Sequence, residues 1–184
     1  AVDENTWSRD GQWLVYRMGS GGGRDIYGLR FGSDSAPGVP LVATDADESG
    51  PALSPDGRWL AYVASDAGKS EVHVRPFPNV SDGRWVVSRG GGNEPVWSSN
   101  GRELFYRSAA DSIVSVEVLP GAAFHAGERR TLFSAADYYG DSRHAAFSVT
   151  SDGRFIFVRT LVAAPPRFVL VTNWLEELKR KVPR

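Results

Sequence analysis

Residues 53–62 read Leu53-Ser54-Pro55-Asp56-Gly57-Arg58-Trp59-Leu60-Ala61-Tyr62, a polar turn followed at once by an apolar, aromatic run. An Asp-Gly pair between extended runs is a strong hairpin signal, because both residues tolerate the positive φ angles of tight turns. Weaker copies of the same phrase lie at 7–16, 97–106 and 149–158. Their glycines recur roughly every 45 to 50 residues, the period of a four-stranded sheet that is repeated around an axis.

The strands of each repeat can be read outward from its turn. Inner strands are predicted at 4–7, 51–53, 94–97 and 145–149, and second strands follow the turns. Third strands are predicted at 25–29, 71–75, 112–116 and 167–171, and fourth strands at 40–43, 84–88 and 130–133. The predicted fold class is therefore all-β, with β-propeller blades in four repeats of a four-stranded antiparallel sheet, of which the last blade is incomplete.

The second strands are apolar at consecutive positions, so both of their faces must be covered. This pattern is typical of sheets that are packed between neighbouring blades. Two sets of aromatic residues at equivalent positions are expected to fill the spaces between the sheets: Trp13, Trp59 and Phe155, and Tyr16, Tyr62 and Tyr106.

The last repeat departs from the others after Val171. Asn173 is predicted to cap a short α-helix, with Glu176 three residues on and an apolar stripe that includes Trp174 and Leu178. The predicted domains are four blades over 1–172, divided at about 1–46, 47–92, 93–143 and 144–172, and a C-terminal helix over 173–184. Repeats that begin on an inner strand suggest part of a larger propeller, and an open blade edge is a surface for homo-oligomerisation.

Composition argues against several classes of partner and chemistry. With 21 Lys and Arg against 22 Asp and Glu, the net charge of −1 provides no field to attract nucleic acid or an anionic membrane. The absence of cysteine excludes disulfides, thiol catalysis and cysteine-ligated zinc, and it is compatible with both the cytosol and the periplasm. No apolar stretch approaches the roughly 18 residues of a membrane span, so this segment is not expected to insert into a membrane.

The phrase at 53–62 resembles the TolB-type, WD40-like (PD40) propeller repeat, and its weaker copies extend the resemblance over nearly the whole chain. The tail at 173–179 resembles the ending of bacterial multidomain proteins that carry a serine/threonine kinase and a C-terminal propeller of this type. The resemblance implies a non-enzymatic module, without cofactor or metal, that binds a protein, peptide or ligand or serves in sensing within a larger bacterial protein. A periplasmic or extracytoplasmic location is expected, with the cytoplasm as the alternative.

The loops that join one blade to the next open on one face of a propeller, around its central channel, where partners usually dock. They carry six candidate residues for binding a ligand or partner: Glu4, Glu48, Glu94, Tyr138, Tyr139 and His144. Converging carboxylates suit a cation or a basic segment, and paired exposed aromatic residues are favoured at interface hot spots. Two other interpretations stay open: the carboxylates are solvated loop charges, and the tyrosines cover the end of the last blade.

Catalytic motifs are missing from the sequence. The histidines, His73, His125 and His144, lie in different repeats, and neither a Gly-x-Ser-x-Gly elbow nor a His-Glu-x-x-His helix accompanies them. The Ser and Asp side chains of the turns are expected to bond the local backbone. The alternative function is the substrate-gating propeller of a prolyl-oligopeptidase-type hydrolase, which requires an α/β-hydrolase domain in the full-length protein.

Overall fold

The computed structural model describes residues 2–19, 23–32 and 38–159. The predicted third strand at 167–171 and the predicted helix at 173–184 lie outside these residues. The strands are β1 (Val2–Trp7), β2 (Trp13–Gly19), β3 (Arg24–Arg30), β4 (Val39–Val42), β5 (Asp47–Leu53), β6 (Trp59–Asp66), β7 (Lys69–Pro76), β8 (Trp85–Val86), β9 (Gly92–Trp97), β10 (Glu103–Ser108), β11 (Ser112–Leu119), β12 (His125–Ser134), β13 (Phe147–Val149) and β14 (Phe155–Phe157). A 3-10 turn covers Val80–Asp82.

These strands form three four-stranded antiparallel sheets and one two-stranded sheet within the described ranges. Blade 1 contains β1–β4, blade 2 contains β5–β8, blade 3 contains β9–β12, and β13 pairs with β14 in a fourth repeat. Each sheet has its strands in chain order, from an inner strand to an outer one, which is the meander of a propeller blade. The predicted all-β propeller fold is confirmed. Across the same ranges, no helix is long and apolar enough to cross a membrane.

A side-chain clamp holds the turn between each inner strand and its second strand. In blade 2, Ser54 Oγ donates to Asp56 over 2.5 Å and accepts from the Trp59 amide over 3.0 Å, while Gly57 has a φ of 71°. Related clamps occur at Ser8, Ser98 and Thr150. The expectation that these polar side chains bond within their own turns is confirmed.

The hydrophobic core lies in layers between successive sheets. The layer between blades 2 and 3 includes Trp59, Val63, Val72, Leu104, Tyr106 and Phe124. In this layer the Trp59 and Phe124 rings meet edge to face, with their centroids 5.5 Å apart. The layer between blades 1 and 2 includes Val15, Ile26, Leu60 and Tyr62. Successive residues of β6 enter opposite layers, so blade 2 is covered on both faces, as its unbroken apolar run predicts.

The turn of the fourth hairpin is one residue shorter than the other three turns, so its strands pair in a register that is shifted by one residue. In blades 1 to 3, the last residue of the inner strand pairs with the second residue of the next strand, as Leu53 does with Leu60. In the fourth repeat, Val149 pairs with Phe155 and not with Ile156. A shift of one residue turns every side chain of a strand to the opposite face of the sheet.

Two aromatic residues pack differently from the other members of their predicted sets. Phe155 faces back toward blade 3, where its ring centroid lies 5.1 Å from that of Phe105, so it is not equivalent to Trp59. Tyr16 lies on the face of blade 1 that is turned away from blade 2 and is stacked on Tyr27 at 6.0 Å. Phe155 thus lies between blade 3 and the fourth hairpin, as predicted, but it faces the preceding sheet, whereas Trp59 faces the following one. For Tyr16, which faces away from blade 2, the prediction of a position between two sheets is wrong.

Candidate partner-binding face

Glu4 and Glu94 occupy equivalent positions, each three residues before the end of an inner strand. Both side chains are buried, which contradicts their interpretation as solvated loop charges. Each carboxylate accepts a hydrogen bond from the corresponding backbone amide of the next repeat: Glu4 from Gly50 over 2.6 Å, and Glu94 from Ala146 over 2.8 Å. The two glutamates thus join neighbouring inner strands.

A buried arginine accompanies each of these glutamates. Arg17 Nη2 lies 3.0 Å from Glu4 Oε1, and Arg107 Nη1 lies 3.7 Å from Glu94 Oε1. Each arginine is the fifth residue of its second strand. In blade 2 the two corresponding positions hold Gly50 and Val63. Across blades 1 to 3 the charged pair is present or absent as a unit, which is expected because one charge alone would be costly to bury.

The backbone at Glu94 is strained. Its φ of 56° lies in the left-handed region that a side chain with a β-carbon disfavours, and the equivalent Gly50 has a φ of 58°. This conformation costs on the order of 1 kcal/mol at a non-glycine residue. Burial raises the pKa of Glu94, while the amides of Ala146 and Asp141 and the charge of Arg107 act in the opposite direction. Burial likewise raises the pKa of Glu4.

Arg107 also fixes the loop that follows β12. Its guanidinium donates to the carbonyl oxygens of Ala135, Tyr138 and Tyr139 over 2.8, 3.1 and 3.0 Å. Its Nε donates to Asp111 over 2.9 Å. A planar guanidinium that donates several hydrogen bonds to one loop determines the path of the loop backbone. The segment with both candidate tyrosines is therefore tied to blade 3.

Asp141 connects three of the candidate residues. Its amide donates to Glu94 over 3.0 Å, and its carboxylate accepts from the Tyr139 hydroxyl over 3.1 Å. The same carboxylate lies 3.6 Å from His144 Nδ1. Burial acts to raise the pKa of Asp141, but hydrogen bonds from the Arg143 amide and the Tyr139 hydroxyl outweigh burial and lower it. Asp141 is therefore a carboxylate at neutral pH and orients both the phenol and the imidazole.

The two candidate tyrosines have different surroundings. The ring of Tyr138 is stacked on Phe157, with 4.6 Å between the ring centroids, so it covers the end of the fourth hairpin. The side chain of Tyr139 is 45% exposed, and its hydrogen bond to Asp141 raises the pKa of the phenol. His144 is exposed beside it. Tyr138 is itself 37% exposed, so Tyr138, Tyr139 and His144 are all accessible.

Glu48 lies apart from this group. It is fully buried after the loop that joins blades 1 and 2, where the Thr44 hydroxyl donates to its carboxylate. Burial raises the pKa of Glu48. A separate cavity of about 470 Å³ adjoins it and is also lined by Tyr62 and His73. His73 is stacked on Tyr62 at 5.4 Å, and burial, with a contribution from Arg84, lowers the pKa of His73 to about 4.

Two cavities adjoin one another at His144, which lines both. A cleft of about 600 Å³ lies along the inner strands and is lined by Glu4, Pro51, Pro95, Trp97 and His144, among other residues. A groove of about 390 Å³ lies over the fourth hairpin and is lined by Tyr139, His144, Phe147, Ile156 and Val158, among others. We call the surface made by Tyr139, His144 and these two cavities the channel face.

The channel face offers a phenol, an imidazole and apolar walls. Pro51 and Pro95 lack an amide donor, which makes their inner strands poor templates for adding another strand. Recognition at this surface therefore depends on side chains. The residues that the structure describes include no group of three His, Cys, Asp or Glu side chains that could hold a metal ion.

Sequence reasoning missed two residues that build this surface, Arg107 and Asp141. The sequence did contain a signal for Arg107, which is a charged residue inside an apolar strand. Such a residue is expected to have a buried partner of opposite charge, and Glu94 lies on the adjacent strand. Arg17 beside Glu4 repeats the same pattern. Asp141 had no such signal, because its contacts depend on the path of the loop.

No protein-family model matches the chain. A stretch of 94 residues is 32% identical to a protein TolB homolog of Chlorobium chlorochromatii and covers 51% of this chain and 20% of that protein. The fold is similar to TolB from Acinetobacter baumannii, with a TM-score of 0.63 at 15% identity over 89% of this chain and 39% of that one. It is also similar to a prolyl endopeptidase, with a TM-score of 0.55 at 12% identity over 86% of this chain and 26% of that one.

The chain thus spans less than half the length of each of these proteins. The structural likenesses, at such low identity, establish the fold alone. The sequence likeness to the TolB homolog agrees with the repeated turn clamps and with the complete meander sheets. The chain has the β-propeller repeat fold, and it is similar in sequence and fold to proteins of the TolB type.

Proposed function

We propose that this chain is a non-catalytic interaction module, which binds a protein or peptide at the channel face and serves as the interaction or sensing domain of a larger bacterial protein. The observation that carries this proposal is the fixed exposure of Tyr139. Its carbonyl is held by Arg107 and its hydroxyl by Asp141, while its ring stays accessible. Aromatic side chains on a rigid backbone lose little entropy on binding and are common at interface hot spots.

The surroundings of Tyr139 favour a partner with a mixed surface. The groove over the fourth hairpin has apolar walls at Phe147, Ile156 and Val158, which suit an apolar side chain. His144, at the rim of this groove, supplies a polar group that fixes the orientation of the bound partner. In this proposal the buried carboxylates of Glu4 and Glu94 hold together the inner strands that carry the surface, and Tyr138 packs on the fourth hairpin beside it. Glu48 stabilises the joint between blades 1 and 2.

Two further parts of the proposal rest on the relatives. The likeness to the TolB homolog supports a periplasmic or other extracytoplasmic location. The alternative function, a substrate-gating propeller of a prolyl-oligopeptidase-type hydrolase, is supported only by the shared fold. An α/β-hydrolase domain in the full-length gene, together with peptidase activity of the full-length protein, would favour this alternative.

The test compares capture by the wild-type chain and by Tyr139→Ser. Each is immobilised, incubated with an extract of the source cells, and the affinity for the captured protein is then measured by calorimetry. We expect Tyr139→Ser to weaken binding by at least about tenfold, the effect of losing a hot-spot side chain. Val86→Ser is the matched control, because Val86 is exposed on the outer strand of blade 2. Equal affinity of wild type and Tyr139→Ser, with unchanged melting temperatures, would reject the site.

A further inference from the structure

The cavity beside Glu48 lies at the joint between blades 1 and 2, apart from the channel face. Its volume of about 470 Å³ falls within the range of roughly 300–1,000 Å³ in which proteins bind small organic ligands. Its walls come from the connection between β4 and β5, from β6 and β7, and from Arg84, which precedes β8. The cavity is thus formed at an internal joint of the array of blades.

Two buried polar side chains line this cavity, and each has an unpaired atom. Glu48 is fully buried, and the Thr44 hydroxyl donates to its Oε1, while Oε2 has no hydrogen-bond partner among the described residues. His73 is 7% exposed, and within the same residues its Nδ1 also lacks a partner. Buried polar atoms are normally paired, so unpaired ones at the wall of a cavity are the mark of a binding site.

The charges around the cavity are mixed, with carboxylates in excess. Lys69 Nζ lies 2.8 Å from Glu71 Oε1, so these two charges are paired. The other charged lining residues form no ion pair within the part of the chain that the structure describes: Asp45, Glu48, Asp66 and Arg84. Unpaired charges of both signs suit a zwitterion, and the excess of carboxylates suits one that carries a further ammonium group.

The surroundings of Glu48 and His73 favour an organic cation. Burial raises the pKa of Glu48 and the neighbouring Asp25 carboxylate raises it further, while hydrogen bonds from Thr44 act in the opposite direction. An ammonium group beside Glu48 would supply the positive charge that the described residues do not. Burial lowers the pKa of His73 to about 4, so its imidazole is neutral at neutral pH and does not repel a cation. The guanidinium of Arg84 is a planar double donor, which suits a carboxylate.

We propose that this cavity binds a free amino acid with a basic side chain. Its ammonium groups lie near the carboxylates of Asp45, Glu48 and Asp66, and its carboxylate binds Arg84. The carboxylates are distributed around the cavity, and the described residues include no group of three His, Cys, Asp or Glu side chains that could hold a metal ion. The site is separate from the channel face, so this proposal does not rest on the partner proposed there.

Calorimetric titration of the full 184-residue chain with L-lysine tests this proposal. We expect a dissociation constant below about 1 mM. Two analogues test the two kinds of contact, since cadaverine lacks the carboxylate of lysine and 6-aminohexanoate lacks its α-ammonium group. Each analogue should bind at least about tenfold more weakly than L-lysine, because each loses a hydrogen bond between charged groups.

Variants of the exposed lining residues locate the site. Arg84→Ala should weaken the binding of L-lysine at least about tenfold and leave that of cadaverine unchanged, because cadaverine has no carboxylate for Arg84 to bind. Unchanged cadaverine binding also shows that the variant is folded. Asp45→Asn should weaken the binding of both molecules. Arg89→Ala is the matched control, because Arg89 is exposed in the same blade and does not line the cavity.

Several results would overturn the proposal. The first is the absence of L-lysine binding to the wild type at concentrations up to about 10 mM. Others are equal affinities of the wild type for L-lysine and cadaverine, and an unchanged affinity of Arg84→Ala for L-lysine. Displacement of L-lysine by an equal concentration of calcium chloride would show that the site takes an inorganic cation instead.

Discussion

Replacing Glu94 by alanine removes the carboxylate that joins blade 3 to the fourth repeat. The amides of Asp141 and Ala146 lose their acceptor, and a buried donor left unsatisfied costs about 1–3 kcal/mol. Arg107 keeps Asp111 and its carbonyl acceptors, so its share of the loss is small. We expect the free energy of unfolding to fall by about 3 kcal/mol, which corresponds to a drop of about 10 °C in Tm for a chain of this size.

Urea unfolding followed by tryptophan fluorescence measures this loss. Glu128→Ala is the matched control, because Glu128 is exposed and pairs with Arg130 only at 4.0 Å, an interaction that contributes about 0–1 kcal/mol. Glu94→Gly is a second comparison, since glycine relieves the positive φ and should be less destabilising than alanine by about 1 kcal/mol. A Glu94→Ala loss no larger than that of Glu128→Ala would refute the reasoning.

Two further predictions concern stability. Because burial lowers the pKa of folded His73 from 6.5 to about 4, the unfolded chain binds a proton that the folded chain does not, and about 3 kcal/mol is lost as the pH falls through this window. His73→Phe should lack this loss and His125→Phe, at an exposed position, should retain it; the same pH dependence in wild type and His73→Phe would contradict the assignment. Ser54→Ala should lower the free energy of unfolding by about 1 kcal/mol, because the Trp59 amide loses its acceptor. Ser81→Ala is the exposed control, and an unchanged urea midpoint for Ser54→Ala would show that the clamp contributes nothing.

The candidate residues show which features of the site the sequence pattern predicted correctly. Glu4 and Glu94 were placed on inner strands, but their carboxylates were predicted to face a partner, and the structure buries them against backbone amides. The donor to Glu4 is Gly50, which belongs to the next repeat, and no short-range pattern shows which amide meets a given carboxylate. Tyr139 and His144 were predicted as accessible and are, but Asp141, which links them, was found only in the structure.

The turns and the meander of each blade follow from the sequence alone, because both depend on contacts between near neighbours. Gly57 supplies the positive φ, Ser54 and Asp56 bond within five residues, and antiparallel strands follow from short connections. The register of the fourth hairpin was decided by the tertiary structure. The run at 155–158 is apolar at every position, so either face of β14 can be buried and the pattern selects neither. The rings of Phe105 and Phe133, each about 5 Å from Phe155, make that selection by packing.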